Sequence, residues 1–191
     1  MARWLKPGVF ALSLMPLAWL AWRAFSDDLG VNPVETINRT TGDWALRFLL
    51  LALAVTPLRR VTGWAPLARL RRMVGLFAFF YVCLHLASYV GLDLFFDWQA
   101  LLKDVAKRTY ITLGMGCFVL LLPLAVTSTD GMIRRLGGRA WRRLHRLVFP
   151  ASVLAVAHFW LMVKADIREP LLYAVILSLL LGSRLWRRGR A

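Results

Sequence analysis

Six apolar runs, at residues 9–25, 43–58, 73–92, 109–127, 145–163 and 170–186, take up most of this chain and leave it few ways to fold. A helix needs about 20 predominantly apolar residues to cross a bilayer's hydrocarbon core. In lipid every main-chain N–H and C=O must be satisfied within the protein, which restricts spanning structures to helices and closed barrels. Uninterrupted apolar runs of this length point to helices. The expected architecture is an all-α polytopic membrane bundle of about six transmembrane helices, a single domain over 1–191 with no soluble domain. At 59% apolar residues and a mean hydropathy of +0.59, the chain is too apolar for an ordinary soluble domain. Arg47 interrupts the second run and Arg184 enters the sixth, so the ends of these two are the least sharply marked.

The formal charge of +15 would suit a nucleic-acid ligand, but the basic residues form short runs between apolar stretches, and no nucleic-acid-binding module accompanies them. Their distribution is a topology signal instead. Arg3 and Lys6, the five from Arg59 to Arg72, the six from Arg134 to Arg146 and the four from Arg184 to Arg190 put seventeen on one side, against six on the other, with Arg23 and Arg47 near the membrane face of that second side. Positive loops stay cytoplasmic, so both termini are expected there. Only Asp130 of the ten acidic residues falls on that side. Arg3 and Lys6 before an apolar run also suit a secretory signal, but no cleavage site follows and Arg23 interrupts the end of the run, so the segment reads as an uncleaved first helix. Between the third and fourth runs, Asp93 to Thr109 mixes Phe95, Phe96, Trp98, Leu101, Leu102 and Val105 with charged residues, as either a short interfacial helix or an aromatic belt with a loop would. No internal repeat is visible.

Several chemistries are excluded. Cys83 and Cys117 lie in separate apolar runs, with no C-x-x-C pair, no zinc spacing and no C-x-x-C-H for covalent haem. Gly114-Met-Gly116 lacks the third glycine and the strand of a dinucleotide fingerprint. Asn38-Arg39-Thr40, on the outer side, fits a glycosylation sequon, a short pattern of little weight.

What remains is histidine. His85 lies in the third run, and His145 and His158 lie in the fifth. Ionisable side chains at membrane depth are rare and point to function: here a haem or metal ligand, a proton relay, or a hydrogen-bonded packing residue. Depth discriminates among them. His85 is 13 residues past Arg72, and His158 is 12 to 15 residues past Arg143 to Arg146; both offsets correspond to roughly 20 Å of helix. Because the third and fifth spans run in the same direction, the two imidazoles share a level and suit the two axial positions of one haem iron. His145, 13 residues before His158, sits near the inner face, where a second haem would need another partner. A straight helix would leave these two side chains about 140° apart, and Pro150 between them is a candidate kink.

Other residues could serve these sites. Ser88 and Tyr89 follow His85 at i+3 and i+4 and could share its face. Arg71, Arg72, Arg23 and Arg47 could bind a haem propionate, a flavin phosphate or a quinone head group, since guanidinium matches carboxylate and phosphate geometry. Topology is the competing account of the first two, and snorkelling that of the others. The rival function for the whole chain is a transporter or proton channel that uses the histidines as a relay.

The run RRMVGLFAFFYVCLHLASY from Arg71 to Tyr89, TYITLG from Thr109, LAVTSTDGMIRRLG from Leu124 to Gly137, and WRRLHRLVF ending at Phe149 with His158 beyond, together resemble the haem-binding membrane subunits of bacterial periplasmic methionine sulfoxide reductase systems, the MsrQ (YedZ) family, over almost the whole chain. That family belongs with the ferric-reductase-like transmembrane domains. The resemblance implies one or two b-type haems, with His85, His145 and His158 at the family's histidine positions, and an FMN for which no site can be read here. It also implies a location in the bacterial inner membrane. The implied role is electron transfer from the quinone pool or a cytosolic flavin reductase to a periplasmic molybdopterin-containing subunit that reduces methionine sulfoxide in oxidised proteins.

Overall fold

The computed structural model describes residues 2–163 and 165–188, and among these the regular elements are helices joined by short turns. Eight α-helices form in order: α1 (Ala2–Phe25), α2 (Pro33–Thr62), α3 (Arg71–Ser88), α4 (Trp98–Lys107), α5 (Thr109–Val126), α6 (Asp130–Leu144), α7 (Val148–Met162) and α8 (Arg168–Arg188). Among the described residues, five segments are long and apolar enough to cross a membrane: Trp4–Phe25, Pro33–Thr62, Arg71–Asp93, Thr109–Val126 and Asp130–Met162. The sixth run is helical as α8, although its last side chains lie outside the described residues. The protein is therefore an all-α polytopic membrane bundle. It divides into two compact units, Met1–Leu101 and Leu102–Ala191.

In the first unit α2 packs along α3. Leu46, Phe48, Leu49 and Leu53 of α2 are buried with Val74, Phe77, Ala78 and Tyr81 of α3. Phe48 stacks on Tyr81 at 5.2 Å between centroids and meets Phe77 at 5.8 Å. The α1 face carrying Leu12, Met15, Trp19 and Trp22 is well exposed. Lipid is the solvent that such a face requires.

The second helix begins ten residues before the apolar run that predicts it, because its start is set by capping rather than by hydropathy. The Asn32 side chain accepts from the Glu35 N–H at 3.2 Å and donates Nδ2 to Glu35 Oε2 at 3.2 Å, with Pro33 in the first turn. The helix ends at Gly63, whose φ of 68° is the left-handed cap that favours glycine. Asn38, Arg39 and Thr40, which carry the sequon, are therefore helical.

The third helix runs past Ser88 into a π-helical turn, Tyr89–Asp93, and then closes through Phe95 and Phe96 at φ 48° and 62°. Bulky residues seldom adopt this region. Phe96 is held there by its N–H donating to the Val90 carbonyl at 2.8 Å and by its ring lying over Gly91. Of the two alternatives for the aromatic and charged mixture, helix or loop, α4 is the short helix, started by Asp97, whose carboxylate accepts from the N–H groups of Gln99 and Ala100, both at 2.9 Å.

In the second unit α5 packs on α7 through small residues. Ala151 and Ser152 of α7 are fully buried, Ser152 Oγ donates to the Val148 carbonyl at 2.6 Å, and Leu154 lies 3.3 Å from where a Cβ on Gly116 would stand. Small residues let membrane helices approach closely. Between His145 and His158 the departure from α-helix lies before Pro150. It occurs in the 3₁₀ turn His145–Leu147, and Pro150 sits in the first turn of α7, where its missing N–H costs nothing.

Candidate functional site

Two histidines occupy the same kind of socket, one in each unit. In the first unit His85 of α3 places Nδ1 2.9 Å from the main-chain oxygen of Asn38 on α2. In the second, His158 of α7 places Nδ1 2.6 Å from the main-chain oxygen of Tyr110 on α5. A carbonyl oxygen only accepts, so Nδ1 must carry the hydrogen in both rings. In a neutral imidazole the lone pair is then on Nε2, the atom that can ligate a metal. In each socket a glycine faces the ring. A Cβ on Gly42 would lie 3.1 Å from Nδ1 and Cε1 of His85, and one on Gly114 would lie 3.0 Å from Nδ1 and 3.1 Å from Cε1 of His158.

His145 is different. Its Nε2 is 3.2 Å from Thr127 Oγ1, and that hydroxyl has a carbonyl acceptor, Pro123, at 2.6 Å. With its one hydrogen donated to Pro123, Thr127 accepts from His145, so Nε2 carries the hydrogen and the neutral ring has its lone pair on Nδ1. The Trp141 ring stacks on the imidazole at 3.8 Å, and its indole N–H donates to the Thr127 carbonyl at 2.9 Å. To ligate through Nε2, His145 would first give up Thr127.

The other candidates are spread out. Arg71 and Arg72 lie in the first turn of α3, thirteen and more residues from His85 on the same helix, about 20 Å by helical rise, so the chain does not bring them to that imidazole. Arg23 donates Nε and Nη2 to the Asp28 carbonyl at 3.0 and 2.6 Å, with the Asp28 carboxylate 3.4 Å away, and so ties down the turn after α1. Arg47 lies over the Trp44 ring at 5.0 Å, a cation–π contact. Ser88 Oγ donates to the His85 carbonyl at 2.9 Å, which supports the backbone rather than the ring. Gly42 and Gly114 and the carbonyls of Asn38 and Tyr110 escape sequence reasoning altogether; Gly114 appears there only as part of a failed nucleotide fingerprint.

Residues 7–156 match the family described as ferric reductase like transmembrane component. A protein-methionine-sulfoxide reductase heme-binding subunit MsrQ from Rhodospirillum rubrum is 61% identical over 177 residues, covering 93% of this chain and 85% of that protein. Proteins of the same name from Caulobacter vibrioides and Xanthomonas euvesicatoria are each 53% identical, covering 95% and 96% of this chain and 87% and 86% of theirs. The chain belongs to the MsrQ family. The ferric-reductase match ends two residues before His158, so one of the two sockets lies only partly within the segment shared at that level, although the MsrQ matches cover almost the whole chain.

Proposed function

We propose that this protein is the haem b-binding, electron-transfer subunit of a protein-methionine-sulfoxide reductase system in the bacterial inner membrane. The observation that carries this reading is that His85 and His158 each commit Nδ1–H to a main-chain carbonyl, which leaves Nε2 as the lone-pair atom of a ring already fixed in direction. Because the sequence sets them at matched depth, both imidazoles would hold the same haem iron. His145 is the proposed ligand of a second haem nearer the inner face, and Arg71 and Arg72 are proposed inner-side partners for a propionate or for the phosphate of FMN. The flavin rests on family resemblance alone.

Haem b, when bound, supplies an iron that accepts and releases single electrons. The chain's own part is to hold and tune. The carbonyl bonds fix the tautomer and raise the basicity of each imidazole, while the apolar helices keep water away and lower the local dielectric. The carbonyl partners also argue against a proton relay, because a carbonyl accepts a hydrogen bond but has no proton to pass on. The donor is the quinone pool or a cytosolic flavin reductase, and the acceptor is a periplasmic molybdopterin-containing reductase subunit.

The test is the absorption spectrum of the purified protein with and without dithionite, for the unaltered chain and for His85→Ala, His158→Ala and His145→Ala. A low-spin b-type spectrum that is lost or converted to high spin in the first two variants is the expected result. A spectrum unchanged in both would remove the axial assignment, and a colourless unaltered protein would favour the relay.

A further inference from the structure

The two sockets share a geometric rule. In each, the accepting carbonyl lies four residues before the glycine that faces the ring: Asn38 before Gly42 on α2, and Tyr110 before Gly114 on α5. In an α-helix the carbonyl of residue i already accepts from the N–H of residue i+4, and one lone pair remains. Side chains lean toward the helix N-terminus, so whatever stands at i+4 overhangs that carbonyl. Glycine leaves it open from the side. The imidazole fills the volume that a Cβ would take, as the 3.0 to 3.1 Å approaches show. The role is specific to these positions, since Gly75 of α3 has nothing within 4 Å of its Cβ site and Gly116 faces Leu154 rather than a histidine.

We propose that Gly42 and Gly114 are positioning residues that tune the haem: by lacking a side chain they uncover the Asn38 and Tyr110 carbonyls, whose bonds to Nδ1–H set how strongly His85 and His158 donate to iron. The inference rests on the axial assignment given above. A hydrogen bond accepted from Nδ1–H places more negative charge on the ring, which favours ferric over ferrous iron and holds the midpoint potential down. An alanine at either position forces the ring away from the carbonyl, weakens that bond and lets the potential rise. Gly114 is the more sensitive of the two, because its socket has the shorter hydrogen bond, 2.6 Å against 2.9 Å, and the closer approach.

The experiment uses the full haem-loaded chain in detergent and compares Gly42→Ala, Gly114→Ala and, as a control of equal chemistry, Gly75→Ala. Spectroelectrochemical titration gives the midpoint, and low-temperature electron paramagnetic resonance of the ferric form reports ligand orientation. The expected result is a higher midpoint and shifted g-values for Gly42→Ala and Gly114→Ala, larger in the second, with Gly75→Ala matching the unaltered protein. Haem content, midpoint and g-values all unchanged in Gly114→Ala would overturn the proposal while leaving the ligand assignment standing, since that assignment is read from the histidine variants. Should the alanine variants fail to fold, electron-nuclear double resonance on the unaltered protein in heavy water still decides. A ligand Nδ1 proton that persists for hours supports the carbonyl bond, and one lost within minutes overturns it.

Discussion

Tyr81 of α3 donates its phenolic hydrogen to the main-chain carbonyl of Ser13 on α1 at 2.9 Å. The phenolic oxygen in turn accepts from the Leu17 N–H at 3.1 Å. Residues 13 and 17 are the pair that an uninterrupted α-helix joins directly, so the phenol stands in the ladder of α1 beside Pro16. Tyr81 is almost wholly buried, and no water reaches lipid-spanning segments to replace it. Tyr81→Phe should therefore lower stability by about 1–3 kcal/mol, the usual cost of leaving buried polar groups unmet. The measurement is the thermal midpoint of helical circular dichroism in detergent. A midpoint equal to that of the unaltered protein would show that α1 closes its own ladder.

Two glycines outside the sockets should respond in opposite directions. Gly75 lies inside α3 with open space where a Cβ would stand, so Gly75→Ala should be neutral or stabilising by about 0.5–1 kcal/mol, the ordinary helical gain of alanine over glycine. Gly63 caps α2 at a φ of 68°, where a side chain is disfavoured. Gly63→Ala should destabilise by about 1 kcal/mol, and paired unfolding curves against the unaltered chain would expose the difference in sign.

Thr127 links the end of α5 to His145, and its hydroxyl bridges the imidazole and the Pro123 carbonyl. Thr127→Val keeps the shape and removes the bridge. The His85 and His158 sockets do not involve Thr127, so the spectrum assigned to them should persist. A second haem component, if carried by His145, should change its reduction midpoint in the variant. Loss of the whole low-spin spectrum would contradict this separation of sites.

The apolar runs reveal the helices because lipid demands them, and the amphipathic spacing of Trp98, Leu102 and Lys103 is visible without coordinates. The first turns of α2 are hidden from hydropathy, since Glu35, Asn38 and Arg39 are polar; yet Asn32-Pro33 with Glu35 is a capping signal that marks the helix's true start. All three histidines stand out as ionisable groups in apolar runs, but their tautomers do not. Those depend on Asn38, Tyr110 and Thr127, residues 47, 48 and 18 positions away, which only the packing of one helix on another brings into reach. The two glycines are silent for the same reason: an absent side chain carries meaning only once its neighbour is known.

Topology offers a test independent of haem. The α4 helix falls on the sparsely basic side of the membrane by the charge rule, while α6, with Arg134, Arg135, Arg139, Arg142 and Arg143, falls on the basic side. Gln99 of α4 and Arg139 of α6 are both exposed, so each accepts a cysteine without disturbing packing. In a background carrying Cys83→Ala and Cys117→Ala, a membrane-impermeant maleimide applied to intact spheroplasts should label Gln99→Cys and spare Arg139→Cys, and lysis should make the second reactive. The reverse pattern would place the termini outside, and with them the arginines of α6, which would undo the assignment of His145 to the inner face.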